Sequence, residues 1–371
     1  MRPTEIETLE EFDRLVGHGL DSLAGFHLQS LDLAGRAGVL AGLEVSGAIF
    51  LGCRFVDGEG PGSEIDVRGR GGLIFPAVPN VPVDPYRGEL YTPGELYAGL
   101  ERGYAATLDA AAYAWSRTPR TLDKTLAMAL HDHAIDDAIE EFVQSRRLVG
   151  VMGGHALHRD APAYLAAARL GHTLAGSGDP ALTLLTGGGP GAMEAVNLGA
   201  WLSREPDSAL LAAVDLLAAA PGFAPDVTSW ARAAFAVLER WPGGVDSLGV
   251  PTWYYGHEPP NAFATRTAKY FRNALREDVL LRLCRGGLVF LPGAAGTVQE
   301  IFQAACTNYY AGDDLAVPMV LVGRDYWTEQ VPAWPLLDVL GRGRAMGPRL
   351  HLVDGPEEVL PLLVEVGGGR R

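Results

Sequence analysis

Two glycine-rich turns hold the residue types best suited to chemistry. The first lies in LLTGGGPGAMEAVNLGA (184–200), where an apolar run leads into Gly187, Gly188, Gly189 and Gly191 and then into a helical pattern. Glycines let a backbone approach an anion closely, and the N–H groups left unpaired at a helix start hold phosphate. Pro190 suits a first helical turn, where its missing N–H costs nothing. Met193 and Glu194 open that helix, and Glu194 shares with Asn197 a face that reaches back toward a ligand. A bare strand-to-helix turn has the same glycine content, and GGGPGA at 187–192 also satisfies the dinucleotide pattern G-x-G-x-x-A. Against a dinucleotide, the turn follows the second strand of its unit, and no acidic residue ends the next strand to hold a ribose diol.

The second turn lies in GGLVFLPGAAGTVQEIFQAA (286–305). Gly293, Gly296 and Thr297 bring backbone N–H groups and a hydroxyl to a helix start. Glu300 follows one turn later on the face of Thr297. A carboxylate beside a phosphate-binding turn is electrostatically unfavourable unless it holds ribose hydroxyls or stabilises positive charge during bond cleavage. Its plainer role is to complement a helix dipole. A third glycine pair, Gly153 and Gly154 in GVMGGHALHRD (150–160), ends an apolar run, with His155 and Arg159 beyond it. Ligands of open α/β sheets gather at that edge. Arg266, Lys269, Arg272 and Arg276 recur at three- and four-residue spacing and predict a basic stripe on a helix over Thr265–Cys284, suited to phosphate or to pairing with Glu277 and Asp278.

The elements that must position these groups alternate from residue 148 onward. Apolar runs at 148–152, 182–186, 209–214, 248–255, 287–291, 317–322 and 350–353 read as strands, and Thr297–Tyr310 reads as a helix. Unbroken apolar strands are buried on both faces. The expected fold class is therefore α/β, a Rossmann-like doubly wound parallel sheet with helices on both faces over 146–371, preceded by a smaller mixed β/helical segment over 1–145. Within that segment, 28–55 repeats small and apolar residues at about five-residue intervals, consistent with a short β-coil or with irregular strands. Residues 93–147 turn helical and are expected to pack on the nucleotide domain. His131, Asp132, His133, Asp136 and Asp137 share helical spacing; a solvated acidic helix explains them without a metal, so no metal site is assigned.

Thirty Lys and Arg stand against 45 Asp and Glu, a net charge of −15, which argues against nucleic acid or an anionic membrane surface as partner. The three cysteines are widely spaced, which suggests neither a disulfide framework nor a zinc site. The start, MRPTEIETLEEFDRL, lacks the apolar core of a signal peptide, and the longest apolar run, near Ala209–Phe223, is interrupted by Asp215 and Pro221. A cytoplasmic location is expected.

TGGGPGAMEAVN resembles the TGGGPGIMEAAN-type segment of the LOG phosphoribohydrolases, and PGAAGTVQE resembles their PGGxGTxxE motif. The resemblance covers about 147–325 and leaves 1–145 outside. It implies a Rossmann-like hydrolase that cleaves the N-glycosidic bond of nucleoside 5′-monophosphates, releasing base and ribose 5-phosphate, without a cofactor and as a homodimer or higher homo-oligomer. The family's motif glutamate falls on Glu300, its threonine on Thr297 and its arginine on Arg276; the expected roles are Glu300 holding ribose and stabilising oxocarbenium character, with Glu194 in reserve for the carboxylate role, and Arg276 orienting substrate or assisting departure of the base. Two positions depart: Ala294 replaces a glycine, and Glu277 stands where lysine is frequent. A larger bacterial nucleotide 5′-monophosphate nucleosidase is similar in having sequence beyond the core. The alternative is a non-catalytic nucleotide-binding regulatory protein, and a third reading is an interaction protein whose N-terminal region recruits a partner. Such chains are often labelled lysine decarboxylases, but the only lysines, Lys124 and Lys269, lie in no Schiff-base context.

Overall fold

The computed structural model describes residues 4–179, 182–254, 258–312 and 315–364. Two compact units are present, one comprising Met1–Glu89 with Thr118–Ala138, the other Leu90–Arg117 with Ile139–Arg371. The chain therefore does not divide at residue 145 in the way its texture suggests, because the Leu90–Arg117 stretch clusters with the later unit.

In the first unit four short strands, β1 (Thr4–Ile6), β2 (Phe26–Gln29), β3 (Ile49–Leu51) and β4 (Leu73–Phe75), form one parallel sheet in that order. Helices α1 (Leu9–Gly17), α2 (Ala37–Gly42) and α3 (Glu64–Gly69) connect them. Ile6, Leu28, Phe50 and Ile74 are register partners, each pointing into the core. Their separations, 28 − 6 = 22, 50 − 28 = 22 and 74 − 50 = 24, make one coil per repeat. The short-period repetition of 28–55 thus belongs to a β-coil whose true period is a whole turn of solenoid.

Helices α4 (Pro93–Leu96) and α5 (Leu108–Ser116) lie in the second unit, and α6 (Leu122–Val143) follows. On α6 the solvated-helix reading needs correction. His131 and Asp132 are fully buried and paired at 3.1 Å, with burial holding the His131 ring below its usual proton affinity, while His133 and Asp137 are exposed and 3.5 Å apart.

The second unit is built on a seven-stranded parallel sheet. Its strands are β5 (Arg147–Met152), β6 (Leu182–Thr186), β7 (Ser247–Gly249), β8 (Arg266–Thr267), β9 (Leu288–Phe290), β10 (Met319–Val322) and β11 (Leu350–Val353). The order β11-β10-β9-β5-β6-β7-β8 runs outward from β5 to β8, then returns to the other side of β5. This is a Rossmann-like, doubly wound α/β sheet, and its direction reverses between β5 and β9. Flanking helices are α7 (Pro162–Ala175), α8 (Ala192–Trp201), α9 (Asp207–Leu217), α10 (Val227–Arg240), α11 (Asn273–Arg282), α12 (Ala295–Tyr310), α13 (Ala333–Gly341) and α14 (Val359–Val364). Val149, Val151, Leu184, Val196, Val289 and Val320 belong to the core between sheet and helices.

Three expectations change. The 209–214 run lies in α9, where Ala209, Leu210, Ala213, Val214 and Leu217 are buried at helical rather than alternating spacing. The run from 248 stops at Gly249, ahead of Pro251, and Tyr255 lies outside the described residues. Thr265–Cys284 is not one helix: Thr267 exchanges backbone hydrogen bonds with Tyr91 and Ala268 donates to Gly249, so the chain there is extended and α11 begins only at Asn273.

Candidate functional site

The turns after β5, β6 and β9 meet where the strand order reverses. The Gly154 N–H donates to the Pro292 carbonyl at 3.1 Å, and the Ala192 N–H at the start of α8 donates to the Gly154 carbonyl at 3.0 Å. Gly191 is the residue that permits this: its φ is +73°, and a Cβ there would stand 2.5 Å from the Gly154 oxygen. One donor at the start of α8 is therefore already engaged. By contrast, Ala295, Gly296 and Thr297 form the first turn of α12, whose N–H groups have no partner within the helix, and all three face the cleft.

That cleft is a cavity of ≈ 820 Å³. Among the expected site residues, Gly153, Gly154, Gly187, Gly189, Met193, Arg276, Gly293, Gly296, Thr297 and Glu300 line it. Gly188, Gly191 and Glu194 do not. Gly188 packs against Pro251, with its N–H on the Thr186 hydroxyl at 3.0 Å. Gly191 and Glu194 border an adjoining recess of ≈ 190 Å³, which shares His155, Ala156 and Leu157 with the cavity. Glu194 is corrected as a ligand contact: fully buried, it is held by Arg159 through Nη2–Oε1 at 2.5 Å and Nε–Oε2 at 3.0 Å. Arg159, whose guanidinium lies 4.6 Å from the Trp230 ring centroid, is thereby a structural ion-pair partner. His155 does line the cavity, 3.5 Å from Glu258. The segment 254–261 contributes Glu258 to the cavity, while 255–257 fall outside the described residues.

The electrostatic centre of the cavity wall is Arg276. Its Nε donates to the Val250 carbonyl at 2.7 Å and its Nη2 to the Gly187 carbonyl at 3.4 Å. Its Nη1 is shared between Glu277 Oε1 at 3.0 Å and Glu300 Oε1 at 3.5 Å. All three side chains are buried. Burial pushes the Glu300 carboxyl up to about 7, opposed by Arg276 and assisted by Glu277 and Glu258. A carboxyl of that proton affinity exchanges a proton readily near neutral pH.

The expected basic stripe does not exist, since its members lie on different elements. Arg266 is on β8 and Arg272 caps α11. Lys269 is buried, with Nζ 2.6 Å from Asp109 Oδ1. The same carboxylate accepts from Trp253 Nε1 at 2.7 Å and from the Tyr104 hydroxyl. Burial lowers the proton affinity of Lys269 against the pull of Asp109. Lys269 does not line the cavity, so no Schiff-base lysine faces it among the described residues. Nor do the described residues contain a group of three or more metal-type side chains placed to hold an ion, or a helix long and apolar enough to cross a membrane.

No protein-family model matches the chain, and no curated protein matches it. Solved structures do. One, described as the function and structure of the molybdenum cofactor carrier protein from Chlamydomonas reinhardtii, is 17% identical with a TM-score of 0.37, over 60% of this chain and 98% of that one.

Sequence reading missed Asn261 and the roles that Asn197 and Glu277 play in shaping the site. Asn261 ties the turn after β6 to the loop after β7: its amide donates to the Gly189 carbonyl and to Asn197 Oδ1, both at 3.1 Å. Asn197 in turn accepts from Thr186 at 2.7 Å and donates to Ser247 at 3.0 Å, so it supports the turn from behind rather than touching a ligand. Glu277 was visible as a departure from a motif, but not as a second claimant on Arg276.

Proposed function

We propose that the chain hydrolyses the N-glycosidic bond of nucleoside 5′-monophosphates, releasing free base and ribose 5-phosphate. The observation that carries this reading is Glu300, a buried carboxyl of near-neutral proton affinity beside Arg276 in the wall of a cavity of ≈ 820 Å³. That volume suffices for a nucleotide. The 5′-phosphate sits on the first turn of α12, where the N–H groups of Ala295, Gly296 and Thr297 and the Thr297 hydroxyl meet it with the positive end of the helix dipole behind them.

Glu300 then acts twice. Protonated, it gives its proton to the base as the C1′–N bond breaks and the bonding pair leaves with the nitrogen. As a carboxylate it stabilises the ribosyl oxocarbenium ion, and it takes a proton from the water whose oxygen bonds to C1′. The net change is one water consumed, with Glu300 restored. Arg276, fixed by the Val250 carbonyl, orients the substrate. The free thiols Cys53, Cys284 and Cys306 suit a reducing cytoplasm, and the motif resemblance supports a homo-oligomer.

The test is to incubate the protein with a panel of nucleoside 5′-monophosphates and separate free base by chromatography. Base release is expected from at least one nucleotide. Tight binding across the panel without release would favour a regulatory nucleotide-binding protein.

A further inference from the structure

The guanidinium of Arg276 has little freedom to choose its carboxylate. Nε is committed to the Val250 carbonyl at 2.7 Å and Nη2 points to the Gly187 carbonyl at 3.4 Å, which leaves Nη1 for the two acids. Glu277 takes the shorter contact, 3.0 Å against 3.5 Å for Glu300. It is the next residue on the same helix, so no relative movement of elements can part the pair. Its Oε1 also accepts from the Asn273 amide at 3.3 Å, one turn earlier on α11. Glu277 Oε1 is thus held by two donors, whereas a contact at 3.5 Å stabilises the Glu300 anion weakly.

We propose that Glu277 is a positioning residue that draws Arg276 toward itself and away from Glu300, so that the site's proton resides on Glu300. This inference rests on the phosphoribohydrolase reading for its functional meaning, since only there does the proton pass to a departing base. The titratable groups that act on Glu300 come from three places: Arg276 and Glu277 on α11, Glu258 in the segment after β7, and the Cys284 thiol just past α11, which burial and then Glu300 push up. Glu277 and Glu300 thus share one guanidinium nitrogen, while Glu258, 3.5 Å from His155, adds a further negative charge to the surroundings of Glu300. With one cation between two buried acids, one of them holds a proton at neutral pH, and hydrogen-bond geometry selects Glu300.

The experiment is a carboxyl titration of the full chain carrying 13C-labelled glutamate, with the Glu300 signal assigned by its loss in Glu300→Gln and the Glu277 signal by its loss in Glu277→Gln. In the wild type Glu277 should ionise at lower pH than Glu300. In Glu277→Gln the Glu300 midpoint should fall by about one unit, a roughly tenfold weaker proton affinity. The acidic-to-neutral decline in base release should move by the same amount, whereas Glu277→Asp should restore the wild-type profile. An unchanged Glu300 midpoint in folded Glu277→Gln would overturn the proposal. So would a wild type in which Glu277 holds the proton and Glu300 ionises first, a result that needs no folded variant at position 277. If no nucleotide is cleaved, the phosphoribohydrolase reading fails while the titration still decides how the two carboxyls share Arg276.

Discussion

Arg276 occupies the space that a side chain at position 187 would need: a Cβ on Gly187 would stand 2.5 Å from Nη2 of Arg276 and 2.7 Å from the Met193 sulfur. The glycine therefore serves the protein's own guanidinium as well as any bound ligand. Because Nε is anchored on Val250, Arg276 can yield to a methyl group only by moving its fork off the cavity wall. Gly187→Ala is expected to fold, with a stability loss of about 1 kcal/mol, and to lower base release by about 100-fold through misplacement of Arg276. Urea unfolding together with turnover checks it. A fully active Gly187→Ala would show that the position of Arg276 is unimportant.

Glu300 makes the stability of the fold depend on pH in a definite direction. Burial raises its proton affinity on folding, to about 7 from the 4.5 of an exposed glutamate, so the folded state holds the proton more tightly than the unfolded chain. Between those values the unfolded state loses its proton first, and stability falls as pH rises, with the full cost present above neutrality. Glu300→Gln, which cannot ionise, should match the wild type near pH ~4 and exceed it above pH ~8 by on the order of 3 kcal/mol. Denaturant unfolding at the two pH values measures the difference, and equal stabilities at both would contradict a buried, proton-holding Glu300.

The Arg159–Glu194 pair lies away from the cavity and should behave as structure. Removing the arginine leaves a carboxylate buried without its counter-ion, which costs about 3–5 kcal/mol. Arg159→Ala is expected to unfold at much lower urea than the wild type, and Arg159→Ala/Glu194→Leu to recover part of the loss. A loss under about 1 kcal/mol would mean that Glu194 finds water or another partner when Arg159 goes.

Both lysines are withdrawn from solvent, Lys124 at 7% and Lys269 at 1% exposure. Lys124 Nζ donates to the Thr118 carbonyl at 2.6 Å, and Lys269 is held by Asp109. Native protein exposed to an amine-reactive reagent should leave both lysine side chains unmodified until denaturant is added. Peptide mass mapping before and after unfolding checks this, and rapid native labelling of Lys269 would contradict its burial.

What could be read from the residues depended on whether the cause was local. Strand, glycine turn and helix are written within twenty residues around Gly187 and around Gly293, and those turns do line one cavity. The α/β alternation likewise followed from apolar runs, because strands buried on both faces leave no other pattern. The basic spacing from Arg266 to Arg276 imitated a helix but was decided by distant partners, Tyr91 for the strand backbone and Asp109 for Lys269. Those same contacts, more than 140 residues apart in sequence, also bind the Leu90–Arg117 stretch to the sheet unit; the helical texture suggested such packing but not where it ends. The solenoid period was hidden because equivalent core residues, such as Leu28 and Phe50, are a whole coil apart, beyond the short windows in which the small and apolar residues repeat. Glu194 illustrates the converse, a motif residue in the expected turn whose charge is consumed by Arg159.

The central claim is that Glu300 moves the proton that frees the base. Ribose 5-phosphate formed from a nucleoside 5′-monophosphate should be measured for the wild type and for Glu300→Gln at saturating nucleotide, with nucleotide affinity determined separately. The account predicts that Glu300→Gln binds within about threefold of the wild type yet forms ribose 5-phosphate about 10²–10⁴-fold more slowly. Equal rates in the two proteins, or no ribose 5-phosphate from either, would contradict it.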